Sequence, residues 1–379
     1  MDDDQNTGKE SLKSKRYFLF RFNVVLFVLI SAIIIFSLWF FWYRAKTDEP
    51  ITQEPQITGL EIALKSATFL DKLIRPDGTV LGAVICNERT EKCPPEGYKE
   101  NYLNIIPSPF PFDQVINAYL LLEETTGNKS YREKAEQAIN YILDRCNDET
   151  DFCKLNFSSI AQYYDKTGDQ KYFSAMLSLA DNFLSESDEA IVFEGTGQNL
   201  ALLFNATGDA RYKNRLLKVA DAELNRPLYQ TENADYIIRA VWYLYLPAHQ
   251  VSKEAKYLTV AETIGNDLLK QGRVSEIFED QINAIITADS LLALADLRGN
   301  GEYRTQAHNI LQDLLDSVWD TPENIKYRGD YGFIYTLTRD RTLTAAEIQQ
   351  KPGLFNYWKV FNGRIVKLFT LMKDDNFDL

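Results

Sequence analysis

Apolar and polar positions follow the helical period over most of this chain. From residue 58 onward, apolar residues recur at three- and four-residue spacings, broken by short polar segments that mostly carry glycine. The pattern predicts about twelve helices, near 58–75, 112–126, 129–146, 155–166, 169–186, 195–206, 209–225, 232–246, 252–271, 280–297, 302–318 and 354–373. Helices before the short breaks are rich in small and apolar residues; Ala288, Leu291, Leu292, Ala293, Leu294 and Ala295 share one of them. Helices after the breaks carry charged stripes, such as Arg132, Glu133, Lys134 and Glu136. An inner layer of the first kind and an outer layer of the second is the expected arrangement.

The breaks repeat. Thr126-Gly127-Asn128-Lys129-Ser130-Tyr131 recurs as Thr167-Gly168-Asp169-Gln170-Lys171-Tyr172 and as Thr207-Gly208-Asp209-Ala210-Arg211-Tyr212. Looser copies stand at Lys256-Tyr257 and at Arg298-Gly299-Asn300-Gly301-Glu302-Tyr303. The tyrosines lie 41, 40, 45 and 46 residues apart, a period of helical-repeat architectures. Glycine ends one helix because it adopts the left-handed conformation at low cost. The Asp or Asn after it caps the next helix. Connections at the other end are variable and long, notably 76–111 and 319–353, and the working face is expected on that side.

The first fifty residues differ. Phe22 to Tyr43 holds no charge and would span roughly 33 Å as a helix, against a bilayer core of about 30 Å. It closes on Trp39-Phe40-Phe41-Trp42-Tyr43, an interface-type cluster rather than a cleavage site. Lys9, Lys13, Lys15, Arg16 and Arg21 precede it, whereas Arg44 and Lys46 follow, so the N-terminus is expected inside. The expected organisation is a cytoplasmic tail (1–21), a transmembrane helix (22–43), a stalk (44–57) and an extracytoplasmic body (58–379) held at the cytoplasmic membrane.

Four cysteines fall into two local pairs, Cys86 with Cys93 and Cys146 with Cys153, and suggest disulfides in an exported body; three connectivities are open to them, and a zinc site is the competing reading. A net charge of −13 argues against nucleic acid as a partner. The two histidines, His249 and His308, read as surface residues, so a histidine triad or multi-histidine metal site is not expected, nor is a cofactor. No phosphate-binding or dinucleotide glycine motif sits in a strand–helix context.

Six hairpins with Thr-Gly-Asp turns resemble the (α/α)6 toroid of the six-hairpin glycosidase-like superfamily, over roughly residues 58–374. The resemblance implies an all-α ring behind the N-terminal membrane helix, and a carbohydrate ligand. An open HEAT-type solenoid shares the period and is the structural alternative. Chemistry would then fall to carboxylates. Asp113, Glu194 and Asp280 stand at the entries of inner helices; Asp113 and Glu194 each lie 14 residues before their turn glycine, and Lys154 holds the matching place before Gly168. Paired carboxyl groups across a cavity suit glycoside hydrolysis, although helix-entry carboxylates also act as plain caps. Phe112, Gln281, Arg328, Asp330, Tyr331 and Trp358 are the candidate substrate-binding residues: flat rings to stack on sugars, amide and charged groups for hydroxyls. A non-catalytic glycan- or protein-binding scaffold is the alternative function.

Overall fold

The computed structural model describes Phe36 and residues 56–74, 83–86, 98–101, 113–146, 150–225, 234–270, 281–322, 332–333, 335–336 and 355–378. The chain divides into two units, Met1–Glu54 and Pro55–Leu379, and the second is the helical body. Strand pairing starts at Gln56, so residues 56 and 57 join the body rather than the stalk. Among the described residues no helix is long and apolar enough to cross a membrane. Apart from the helical Phe36, the expected span 22–43 lies outside the described residues.

The repeated turns are built as their residues dictate. Gly127, Gly168, Gly208 and Gly299 hold φ between 66° and 71°. Their N–H groups close the preceding helix on carbonyls four residues back, at 2.7–2.8 Å. The hydroxyls of Thr126, Thr167 and Thr207 donate to the carbonyl four residues earlier (2.6–2.8 Å) and accept the N–H just past the glycine (3.1–3.3 Å). Asn128, Asp169, Asp209 and Asn300 then accept the N–H two residues on, at 2.9–3.1 Å. Ser252-Lys253-Glu254 follows the same plan, with Lys253 at φ 62° in the glycine's place.

These five turns join five hairpins, and the last inner helix pairs with the first helix of the body as the sixth. The inner helices are α2 (Asp113–Thr126), α5 (Phe157–Thr167), α8 (Thr196–Thr207), the pair α10 (Ala234–Ala240) and α11 (Leu246–Ser252), α13 (Gln281–Arg298) and α15 (Lys359–Leu371). Their outer partners are α3 (Ser130–Cys146), α6 (Gln170–Ser185), α9 (Ala210–Leu224), α12 (Ala255–Lys270), α14 (Gly301–Val318) and, for α15, the first helix α1 (Gly59–Leu73). Short helices α4 (Thr150–Leu155) and α7 (Asp188–Phe193) lie in the connections. Each inner helix packs on the next, and α15 packs on α2, so the ring is closed and the open solenoid is excluded.

A polar ladder clips the outer ring. Nine residues after each turn tyrosine stands Asn140, Asp181, Asp221, Asn266 or Gln312. Tyr172, Tyr257 and Tyr303 donate to Asn140 (3.4 Å), Asp221 (2.8 Å) and Asn266 (2.7 Å) of the preceding outer helix. Burial, then the Asp221 hydrogen bond, pushes the Tyr257 hydroxyl up to about 12, so it stays a donor. Gln312 ends the series by holding the C-terminal strand β8 (Asn376–Asp378) through two 3.0 Å bonds to the Asp378 backbone.

Closure is made at that strand. β8 pairs antiparallel with β1 (Gln56–Thr58). Phe377 is fully buried, against Phe369 (4.9 Å between centroids) and stacked on His308 (4.3 Å). Gly59 donates to the Asp375 carbonyl (2.9 Å), and a Cβ there would lie 2.3 Å from the Met372 carbonyl oxygen, so α1 starts on a glycine.

The structure also corrects details of the pattern. The body is not purely helical. β2 (Ala83–Cys86) and β3 (Tyr98–Asn101), from the first long connection, join β6 (Tyr335–Thr336) and β7 (Phe355–Trp358) in a four-stranded antiparallel sheet. Two further strands, β4 (Trp319–Asp320) and β5 (Gly332–Phe333), pair with each other. Residues 355–358 are therefore strand, and the last helix starts at Lys359. The helix expected to stop at 246 runs on to Ser252 through a π-helical turn, Val241–Tyr245.

Candidate functional site

All inner helices run in one direction, from the long-connection end to the repeated-turn end. Positions can therefore be ranked by their distance from the turn. Ten residues before it stand Asn117 on α2, Ser158 on α5, Gln198 on α8 and Asp289 on α13, with Trp242 eleven before it. Asn117, Ser158, Gln198 and Trp242 line the deep end of a cavity of about 500 Å³. Every element of the inner ring except α10 contributes to its wall. The cavity widens through Gln162 and Lys367 to His249, Gln250, Leu297 and Lys253. Gln250 and Lys253 are exposed and Leu297 is 50% exposed, so the mouth opens at the turn end. From Asn117 to the mouth is roughly 15 Å at the helical rise.

The π-helical turn sets the wall. A π-turn advances the register by one residue, and such turns collect at functional sites. Leu246 N–H bonds to the Val241 carbonyl, and Pro247 has no N–H to offer the next carbonyl. The Trp242 carbonyl instead accepts Gln198 Nε2 at 3.2 Å. Trp242 is thereby turned to the cavity, and Tyr243 takes the opposite role, accepting Arg364 Nη2 at 3.2 Å. Gly197 lets α8 approach this bend: a Cβ there would lie 2.1 Å from the Tyr243 carbonyl oxygen.

Charge in the wall is balanced. Lys367 Nζ donates to both oxygens of Asp289 (2.9 and 3.0 Å), lies 5.1 Å from the centre of the Trp242 ring, and keeps 22% of its side chain exposed, whereas Asp289 keeps 3%. The partner offsets the desolvation of the buried carboxylate. His249 Nδ1 sits 3.1 Å from the Glu254 carbonyl. Lys253, Lys367 and His249 stand toward the C-terminal ends of the inner helices, where cations offset the helix dipoles. No carboxylate lines the cavity among the described residues.

The expected site residues divide as follows. Asp113 opens α2, one turn ahead of Asn117. Gln281, buried, opens α13, with Asn283 accepting Arg239 Nε (3.1 Å) half a turn later. Trp358 is the last residue of β7, opposite Ala83. Phe112, Asp280, Arg328, Asp330 and Tyr331 lie outside the described residues. Glu194 follows α7, donating its N–H to the Ala190 carbonyl, and is exposed, with Gly195 at φ 83° between it and α8. Lys154 belongs to α4 and pairs with Glu186 (3.2 Å). Cys146 and Cys153 form a disulfide tying the end of α3 to α4. Cys86 lies in β2, and Cys93 lies outside the described residues.

Neither histidine is a free surface group. His249 flanks the cavity mouth, and His308 Nε2 lies 2.8 Å from the Asn376 carbonyl. Among the described residues no group of His, Cys, Asp and Glu could hold a metal ion. The sequence reading missed Asp289, Lys367 and Trp242. A carboxylate within the apolar run of α13, Asp289, was the available signal, and its partner is 78 residues away.

No family model matches the sequence, and no curated protein matches it. Solved structures match the fold. An unsaturated glucuronyl hydrolase specific for heparin aligns with a TM-score of 0.60 at 12% identity, over 83% of this chain and 97% of that one. An unsaturated glucuronyl hydrolase from Streptococcus agalactiae aligns at 0.58 and 13%, over 84% and 91%. An inactive variant of an α-1,6-mannanase from Salegentibacter, in complex with α-1,6-mannotetrose, aligns at 0.56 and 12%, over 84% and 99%. The chain thus shares the (α/α)6 toroid fold of these solved structures.

Proposed function

We propose that this protein is a membrane-anchored, extracytoplasmic carbohydrate-active toroid whose reaction is glycoside hydrolysis, with Asp113 and Asp280 as its carboxyl pair. One observation carries the reading. Asp113 opens α2, Asp280 immediately precedes α13, and both helices belong to the inner wall of a closed glycosidase-like ring and start at the same end. Parallel inner helices direct their positive dipole ends there, which favours at least one ionised carboxylate. Hydrolysis needs one carboxyl as acid and the other as base or nucleophile. Residues 22–43 would hold the body at the membrane with the N-terminus inside, as the flanking charges favour. The Cys146–Cys153 disulfide suits an oxidising compartment.

The test is sugar release from a panel of oligosaccharides that includes heparin fragments and α-1,6-mannotetrose. Asp113→Asn and Asp280→Asn should each lower turnover on the active member by roughly 100- to 10,000-fold while leaving its binding in place. Turnover unchanged in both variants sinks the assignment. A second reading has its own observation: the cavity wall carries amides, amines and an indole but no carboxylate among the described residues, which suits binding without turnover. Saturable binding with no product from any panel member would select it.

A further inference from the structure

We propose that the cavity at the repeated-turn end is a second ligand site, specific for a neutral polyhydroxylated small molecule such as a mono- or disaccharide. Its mouth lies at the opposite end of the inner helices from Asp113 and Asp280, and its floor at Asn117 stands one turn of α2 past Asp113. Its volume, about 500 Å³, falls among small-molecule sites. Its floor holds an unmet demand: Asn117 lines the cavity and is 8% exposed, and its Oδ1 is buried with no hydrogen-bond partner. A turn of the Asn117 amide brings that oxygen to the cavity, where a ligand hydroxyl satisfies it.

The rest of the wall selects the ligand's chemistry. Trp242 supplies a flat apolar surface, and the π-helical turn that presents it is a costly local geometry. Gln162, Gln198 and Gln250 supply amides that donate and accept. Lys367 is already neutralised by Asp289 and has one N–H beyond the two spent there. Lys253 at the mouth caps the C-terminal end of α11, whose dipole offsets part of its charge. Leu297, half exposed at the rim, and Pro247 give apolar contact at the entrance. Apolar surface beside amides is the chemistry that recognises a sugar ring.

The experiment titrates the full-length chain with glucose, mannose, galactose and N-acetylglucosamine, and with glucuronate as the anionic comparison, following tryptophan fluorescence and calorimetry. At least one neutral sugar should bind saturably and more tightly than glucuronate. Asn117→Ala should weaken that binding by tenfold or more, and Trp242→Phe should abolish the fluorescence change while calorimetry still reports the fold-intact variant's residual binding. The double variant Asp113→Asn, Asp280→Asn should bind the sugar at the turn end as the parent does. Absence of saturable binding, preference for glucuronate, or binding lost in the Asp113/Asp280 variant but kept in Asn117→Ala would each overturn the proposal. Failure of the hydrolase reading alone leaves the first three results unchanged.

Discussion

Replacing Gly197 by alanine tests how tightly the ring is drawn around the cavity. A Cβ at this position would meet the Tyr243 carbonyl oxygen at 2.1 Å and the Ile191 carbonyl oxygen at 2.9 Å. The first is more than about 1 Å inside ordinary contact. Both obstacles are backbone atoms on different elements, so no side-chain rotation relieves them. Alanine would itself favour a helix over glycine by about 0.5–1 kcal/mol. Overpacking typically costs 1–3 kcal/mol and occasionally more, and a clash with two carbonyls belongs at the upper end. A net loss of about 2–3 kcal/mol is expected. Gly301→Ala is the control: nothing lies within 4 Å of its Cβ position, and it opens α14. It should stabilise by about 0.5–1 kcal/mol. Urea unfolding of the two variants measures the difference. The reasoning fails if Gly197→Ala unfolds within about 0.5 kcal/mol of the parent, or if Gly301→Ala proves the more damaging change.

Two further outcomes follow from the closure and the ladder. Phe377→Ala removes a fully buried ring from the β1–β8 seam and should cost about 3–5 kcal/mol, with amide exchange accelerating first in α1 and α15; unchanged exchange there would refute the seam's role. Burial raises the Asp221 carboxyl, but hydrogen bonds from Lys256 and Tyr257 outweigh it and hold the group below its ordinary value. A depressed carboxylate lends stability that is present above its unfolded pKa and lost as pH falls through the folded one. Thermal stability should therefore fall below about pH 4, and Asp221→Asn should flatten that limb; an identical acid profile in the variant would count against the ladder.

Much of the ring was legible because its signals are local. The Thr-Gly-Asp turn carries its own hydrogen bonds within a few residues, and the alternation of apolar and charged helices follows from the layer each occupies. The missed parts depend on distant partners. β2 becomes a strand by pairing with residues 356–358, far along the chain, which helical periodicity cannot register. The helix through residue 252 was cut short because Pro247 reads as a breaker and Lys253 stands where glycine was expected. The polar residue nine places after each turn tyrosine was visible in the sequence, but only adjacent outer helices give it meaning.

The β1–β8 pairing has a consequence for how the body comes apart. A linear array of hairpins frays from its terminal repeats, because each end unit lacks a neighbour. Here the first and last hairpins are each other's neighbour, and there is no terminal repeat to peel away. Melting should therefore be a single sharp event for residues 56–378. The chain could also be cut at another turn, for example beside Gly168, and joined across the seam, and the circular permutant would rebuild the same ring.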